Sequence, residues 1–307
     1  MARLPNVFVL ILSFNRREDT LTTLESIRKL NVESFKLTTL VVDNASKDGT
    51  IAALRKFKMD NGEFLFIANK TNLGFAEGNN VGLKECLKRG ADYILVLNND
   101  TIVDSDLVCD LLKVFEKYPK AGILSPKIYF AEGYEYQNRY KKEERGKVIW
   151  YAGGEIDWKN VYGTNYGVDE VDKGQFDKIR ETDFATGCCL FVRRDVLEEI
   201  GLFDKRYFAY LEDADFSQRA KKAGWWVLYA PPAHLWHKVS QSSGIGSELN
   251  DYFITRNRMI FGLTYAPLRA KIALVKESFR LLLKGRKWQK IGIKDFYLGN
   301  FGKGSWL

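Results

Sequence analysis

The sequence predicts an α/β fold, with a mostly parallel sheet covered by helices on both faces and further helices at the C-terminal end. Three observations predict it. Short apolar runs alternate with helical patterns from Val7 to Tyr118, the order that a parallel sheet with crossover helices requires. Polar loops at 13–17, 43–49 and 98–101 directly follow apolar runs, where such sheets hold their ligands. The chain has 307 residues, 46% of them hydrophobic and only 6 of them proline, enough to close a core of ordinary size without staples or long linkers.

The elements follow in order. Val7 to Ser13 is an unbroken apolar run, the mark of a strand buried on both faces, and Glu18 to Leu30 places Leu21, Leu24 and Ile27 on one helical face. Thr39 to Val42 is a strand ending in Asp43-Asn44-Ala45-Ser46-Lys47-Asp48-Gly49, a segment of turn-forming residues, and Ile51 to Lys58 is a helix. Strand Phe64 to Ile67, helix Glu77 to Arg89, strand Tyr93 to Leu97 and helix Asp106 to Tyr118 repeat the alternation. From about 130 to 180 periodicity breaks in a Tyr-, Gly- and charge-rich stretch that fits a hairpin-rich insertion. Strand Ala185 to Val192, a helical turn Asp195 to Ile200 closed by Gly201, and helix Ala214 to Ala223 closed by Gly224 restore it. Trp226 to Tyr229 is the last strand before a loop from Pro231 to Gly246, and helices Glu248 to Gly262 and Pro267 to Lys284 end the pattern. The expected division is a core domain over 1–262 and a basic amphipathic helical tail over 263–307.

Composition narrows the function. Cysteines 86, 109, 188 and 189 have no metal-ligand spacing, and a disulfide between the adjacent pair would be strained, so a reducing, cytoplasmic setting is expected. The run Val7 to Leu12 is too short for a signal peptide and lacks a cleavage site, and no stretch reaches about 18 apolar residues. The formal charge of +8 is localised. From Thr264 onward ten Lys or Arg face two acids, and the rest of the chain carries equal numbers of each sign. A neutral main body argues against nucleic acid as partner.

No Gly-x-Gly-x-x-Gly and no Gly-Lys-Ser/Thr loop is present, so phosphates lack the usual glycine cradle. Asp100, in Leu97-Asn98-Asn99-Asp100-Thr101, instead gathers hard oxygen donors at a strand end, suited to Mg²⁺ or Mn²⁺ bridging a diphosphate. Turn chemistry capping the next helix would leave the same residues. Glu212-Asp213 closes an aromatic stretch, where a carboxylate can be tuned toward a general base; with Asp215 these acids also suit a helix N-terminus. His234 and His237 are the only histidines, a weak signal alone, and Cys188-Cys189 reads as core because no base has suitable context.

Taken together, Val41 to Thr50, Asn72-Leu73-Gly74-Phe75-Ala76-Glu77-Gly78-Asn79, Leu97 to Asp100, and Gly201-Leu202-Phe203-Asp204 through Glu212-Asp213 to Trp225 resemble the inverting family-2 glycosyltransferases, over about residues 5 to 262. The Asn-Asn-Asp form is most similar to the rhamnosyltransferase-type branch. The resemblance implies a GT-A, Rossmann-like catalytic domain and a nucleotide-sugar donor, a UDP- or dTDP-sugar such as dTDP-rhamnose, with a glycan or lipid-linked acceptor. It implies that Ser13, Phe14, Asn15 and Asp43 hold the nucleoside, and that Asn72, Gly74 and Asn79 border ribose and diphosphate, with Asn98 and Asn99 also on the donor. Asp100 would bind a divalent cation with His237, and Asp213 would be the base, supported by Glu212. Asn98 departs from the family's Asp-x-Asp pattern and weakens the expected grip on free metal.

Two rival functions fit the sequence less well. A sugar nucleotidyltransferase would be expected to carry a Gly-rich loop after the first strand, where Ser13 to Arg17 has no glycine, and an inactive glycan-binding module has no need for both Asp100 and Asp213. Trp150, Tyr151 and Trp158 could stack on acceptor sugars or simply pack. In the tail, Leu268, Ile272, Val275, Phe279 and Leu282 form one apolar stripe among bases. Packing on the domain and contact with an anionic membrane, through residues 264–307, are equally consistent with it.

Overall fold

Alternation along the first strand explains the layers. In the structure, a computed structural model describing residues 3–239 and 247–306, Val7, Val9 and Ile11 of β1 (Asn6–Ser13) enter one apolar core and Phe8 and Leu10 enter the other. A strand with both faces covered needs apolar residues at every position, and this one has them. The first half continues as α1 (Arg17–Ile27), β2 (Lys36–Asp43), α2 (Thr50–Leu54), β3 (Glu63–Ala68), α3 (Gly74–Lys88), β4 (Tyr93–Asn98), β5 (Thr101–Val103), α4 (Leu107–Lys117) and β6 (Ala121–Phe130). Next come β7 (Ile149–Tyr151), β8 (Gly154–Asp157), β9 (Tyr162–Asn165), β10 (Arg180–Glu181), β11 (Cys189–Arg193), α5 (Arg194–Ile200) and α6 (Glu212–Lys222). The chain then forms β12 (Trp226–His237), α7 (Glu248–Tyr265), α8 (Leu268–Lys284) and α9 (Lys287–Leu298).

The main sheet has the order β10-β12-β6-β11-β4-β1-β2-β3, with β5 on β12 and β7 on β6. Strands β3, β2, β1, β4, β6 and β12 share one direction, and β11 lies antiparallel between β4 and β6. Helices α1 and α4 cover one face through Leu24, Ile27, Leu111 and Phe115; α3, α5 and α6 cover the other through Leu83, Val196 and Phe216. The α/β class and its mostly parallel strand direction therefore hold.

Several boundaries differ from expectation. The strand β6 was not anticipated because Pro126 and Lys127 interrupt its apolar run; Lys127 is buried and donates to Asp172 at 2.7 Å and Asp177 at 2.5 Å. The strand β12 does not stop at Tyr229. It passes Pro231 and Pro232 through a register shift and continues to His237, so the first part of the expected loop is strand, and residues 240–246 lie outside the described residues. Residues 185–188 form a turn before β11. The insertion holds one separate hairpin, β8 with β9, while β7 and β10 join the main sheet. Helix α7 runs past residue 262, and α9 was not foreseen. No helix among the described residues is long and apolar enough to cross a membrane.

Candidate active site

Strands β1, β2, β4 and β12 end at Ser13, Asp43, Asn98 and His237 on one edge of the sheet, with Ser13 level with Asp43 and Leu12 level with Asn98. Ser13 Oγ shares a 3.0 Å hydrogen bond with Thr20 Oγ1, which accepts from Asn99 Nδ2 at 2.9 Å, so the loop after β4 is tied to α1. After β1 the backbone turns through Asn15 and Arg16, both left-handed at φ 56° and 57°. The Asn15 N–H donates to Ser46 Oγ (2.7 Å) and Asn15 Oδ1 accepts from the Lys47 N–H (3.0 Å), clasping this loop to the one after β2. Phe14 stands exposed beside them.

Asp43 is fully buried in this arrangement. Its Oδ1 accepts from the Ser46 N–H at 2.8 Å, and its Oδ2 has no partner among the described residues. A buried carboxylate oxygen with nothing to accept is costly unless a ligand donor completes it. Asn72 Oδ1 accepts from the Gly74 N–H (2.9 Å) and from Asn44 Nδ2 (3.2 Å), shaping the entry to α3. Gly74 is left-handed there (φ 78°), and a Cβ would strike the Phe208 ring. Asn79 lies one turn inside α3, is buried and donates to Phe75 O, and its Oδ1, like Asp43 Oδ2, has no partner among the described residues.

Asp100 and His237, far apart in sequence, meet directly. His237 Nε2 and Asp100 Oδ1 are 3.1 Å apart, on the β12–β5 side of the edge. Burial disfavours a charged imidazole, but the surroundings, the Asp100 hydrogen bond among them, outweigh it and raise His237 above its ordinary value, so a cation held here would have to displace that proton. The other oxygen of Asp100 accepts from Arg16 Nη1 at 3.1 Å. No group of three or more His, Cys, Asp or Glu able to hold a metal occurs among the described residues. One carboxylate and one imidazole fit a cation that takes its remaining ligands from water and a diphosphate, the habit of Mg²⁺ and Mn²⁺ in nucleotide sites. His234 stands apart, 3.6 Å from Asp104.

Glu212 and Asp213 open α6 and line a cavity of about 280 Å³ with Trp150, Tyr162, Thr186, Tyr210 and Arg258. Asp213 Oδ2 accepts from the Gly187 N–H (2.8 Å) and Oδ1 from the Ala214 N–H (2.7 Å). Burial raises its pKa, and the two N–H donors restrain that rise. Glu212 goes further: burial and then the Asp213 charge push it well above the ordinary value, and its Oε2 has no partner among the described residues. Of the two neighbouring acids, Asp213 has the backbone N–H donors that favour its charged form, and Glu212 is raised the more strongly. Residues 187 and 188 connect the two centres, because Gly187 donates to Asp213 while Cys188 lies against His237. Burial keeps Cys188 a neutral thiol. Trp150 links them a second time, edge-on to the His237 ring at 4.7 Å and on the wall of the Asp213 cavity. Tyr151 is core, and Trp158 stacks on Phe261.

Two positions escaped the sequence. Arg16 follows the motif residues and carries no periodic signal, yet it pairs with Asp100. Asn257 sits in the middle of α7 and is fully buried. Its Nδ2 donates to the carbonyls of Tyr207 (2.8 Å), Ala209 (2.7 Å) and Tyr210 (2.9 Å). Arg256 adds bonds to Arg206 O and Tyr207 O, each 3.1 Å. The segment they hold contains Phe208, Tyr210 and Leu211, all left-handed (φ 61°, 69° and 70°), and leads directly into Glu212-Asp213. Three non-glycine residues in that region persist only where their surroundings over-determine them.

The model of Glycosyl transferase family 2 matches residues 8–201. N-acetylglucosaminyl-diphospho-decaprenol L-rhamnosyltransferase of Mycobacterium tuberculosis is 28% identical over 215 residues, 67% of each chain. Poly-beta-1,6-N-acetyl-D-glucosamine synthase of Staphylococcus aureus is 24% identical over 243 residues, 78% of this chain and 52% of that one. Among solved structures, the mannosyltransferase PcManGT from Pyrobaculum calidifontis in complex with GDP-Man and Mn²⁺ superposes with a TM-score of 0.58 at 15% identity, over 97% of this chain and 75% of that one. GalNAc-T7 with UDP, GalNAc and Mn²⁺ gives 0.63 at 17% identity, over 98% and 59%. These structural likenesses establish the GT-A fold.

Proposed function

Because the chain belongs to glycosyl transferase family 2, we propose that it is an inverting, divalent-cation-dependent enzyme moving a sugar, rhamnose foremost, from a UDP- or dTDP-sugar to a hydroxyl of a glycan or lipid-linked acceptor. The observation that carries this is the double link, through Gly187-Cys188 and through Trp150, between an Asp100–His237 pair suited to a diphosphate and the Asp213 carboxylate on a cavity wall. The mycobacterial relative, by its name, acts on a decaprenol-linked diphosphosugar and transfers rhamnose, which supports the choice of sugar and of acceptor class.

In this mechanism Asp43 Oδ2 accepts the imide N–H of a uracil or thymine base once the clasp between the two loops opens. Asn72, Gly74, Asn98 and Asn99 shape the donor's path along the edge. Asp100 and His237 would hold the cation, which neutralises charge on the departing nucleotide diphosphate. The acceptor hydroxyl enters the Asp213 cavity, with Trp150 and Tyr162 available to stack on sugar rings. Asp213 takes the hydroxyl proton as that oxygen bonds to the anomeric carbon, the bond to the diphosphate oxygen breaks on the opposite face, and configuration inverts. Protonated Glu212 leaves Asp213 as the ionised member of the pair.

A thermal-shift screen of UDP, dTDP, GDP and ADP with and without Mn²⁺ tests the donor half. The expected result is a Mn²⁺-dependent shift by UDP or dTDP that disappears in Asp100→Ala and His237→Ala. Equal shifts by GDP, or shifts indifferent to Mn²⁺ and to both substitutions, would overturn it. Transfer from dTDP-rhamnose to a polyprenyl diphospho-N-acetylglucosamine tests the acceptor half.

A further inference from the structure

We propose that α8 and the end of α9 form a membrane-docking face for anionic lipid. The surface deepens the acceptor assignment above and stands on separate residues. Helix α8 turns three distinct sides outward and inward. Its packed side is built from Ala270, Leu274 and Ser278, small or slender residues that let it approach α7 and α9. A second side leaves Leu268 (73% exposed), Ile272 (49%), Phe279 (57%) and Leu283 (76%) in solvent. At about 100° per residue these four fall within roughly 60° of one another, so they make a single ridge. Tyr297 and Leu298 of α9, also exposed, extend it, since the Tyr297 ring stacks on Phe279 at 6.1 Å and Tyr297 Oη bonds Ser278 Oγ at 2.7 Å.

A ridge of this size has no packing function in the described chain, and charge indicates its partner. Arg269, Lys276 and Arg280 lie along one flank of the ridge and Lys284 follows them, while Lys271 lies on the other flank. The two acids of the region are already engaged. Glu277 pairs with Arg258 of α7 at 2.8 and 3.0 Å, and Asp295 is buried among Tyr252, Asn300 and Ser305. The exposed side of the helix is therefore apolar along its centre and positive at its margins. An in-plane amphipathic helix on an anionic bilayer has that arrangement, with side chains such as Phe279 and Leu283 in the acyl boundary and bases at the headgroups. The position also suits an acceptor anchored in lipid, because Arg258, the partner of Glu277, lines the Asp213 cavity.

The test is co-sedimentation of the full chain with vesicles of phosphatidylcholine alone and of equal parts phosphatidylcholine and phosphatidylglycerol. Binding is expected only to the second, with release at high salt. Each base removed should lower partitioning about fivefold, so Lys276→Glu with Arg280→Glu, and separately Phe279→Ser with Leu283→Ser, should abolish it. All four positions are exposed, and an unchanged melting temperature with an unchanged nucleotide shift separates this outcome from misfolding or from failure of the donor assignment. No binding by the wild type, equal binding by both variants, or a dimer in sedimentation velocity that either variant dissolves would overturn the proposal, the last by assigning the face to a second copy.

Discussion

Replacing Asn257 by Ala probes how Asp213, the proposed base, is held in place. The side-chain amide supplies two N–H groups to three carbonyls of the segment 207–210, those of Tyr207, Ala209 and Tyr210. Net contributions of about 0.5–1.5 kcal/mol per buried N–H, plus the small cavity left behind, put the loss at roughly 2–4 kcal/mol. The strain it restrains is at least as large: Phe208, Tyr210 and Leu211 in the left-handed region cost about 1–2 kcal/mol each, roughly 3–6 kcal/mol together. Removal of the amide therefore releases the segment, and Asp213, two residues beyond Leu211, moves with it. A displacement of about 1 Å at a reacting group is enough to cost ~10²-fold in turnover. The assay is kcat and acceptor KM for sugar transfer, with the melting temperature and the nucleotide diphosphate shift measured in parallel. The expected pattern is kcat reduced about a hundredfold with a lower melting temperature and a much smaller change in the nucleotide shift, because Asp43, Asp100 and His237 sit on other elements and only Gly74 abuts the segment, through Phe208. A variant that melts lower yet turns over within about threefold of wild type would refute the positioning role and leave Asn257 a purely structural residue.

Other substitutions separate the remaining roles. Asp213→Asn should reduce kcat by roughly 10²–10⁴-fold with normal nucleotide binding, because an amide cannot take the acceptor proton; transfer near the wild-type rate would remove Asp213 as base. Since burial raises the Asp213 pKa, the acid limb of the wild-type rate profile should lie above the ordinary aspartate value of about 3.9, activity falling as pH drops through it. Glu212→Gln should raise stability at pH 7, because Gln places no proton-uptake cost on folding there. The folded pKa of Glu212 is raised, so folding takes up a proton there; that contribution is complete below about pH 4.3 and is lost as pH rises toward the raised value. The difference between variant and wild type should therefore vanish in acid melts. Arg16→Ala removes a cation from Asp100, and with Arg16 partly exposed the gain is modest, about two- to fivefold tighter Mn²⁺ binding to nucleotide-free protein in an electron-spin-resonance titration. Asp43→Ala should cancel the preference for UDP or dTDP over GDP in a binding competition, and unchanged selectivity would place base recognition elsewhere.

The parallel half of the fold was legible for a physical reason. Strands covered on both faces cannot afford polar positions, so β1 and β4 stand out as unbroken apolar runs. The strands that were missed break that rule. Lys127 enters β6 because Asp172 and Asp177, some forty-five and fifty residues downstream, neutralise it, and local sequence cannot announce so distant a compensation. Pro231 and Pro232 looked like the start of a loop, yet a register shift lets β12 carry them and deliver His237 to the edge beside Asp100.

The site divides in the same way. Asp100 and Asp213 stand out in the sequence because each lies at the end of an element in a short acidic motif, and Asp43 because its segment resembles the family's; their roles remain those proposed above. Asn257 does not stand out. In the sequence it is one polar residue on an ordinary helix, and its meaning comes from three carbonyls about fifty residues earlier. The tail shows the converse. Its apolar stripe is plain in the sequence, and packing was one natural use for it, but α8 packs through Ala270, Leu274 and Ser278, where small and slender side chains permit close approach. Leu268, Ile272, Phe279 and Leu283 stay outside, while Leu281 and Leu282 lie partly buried against the core. A hydrophobic pattern fixes where apolar surface lies along a helix, whereas shape decides which side its neighbours can accept, and only the folded chain contains that second constraint.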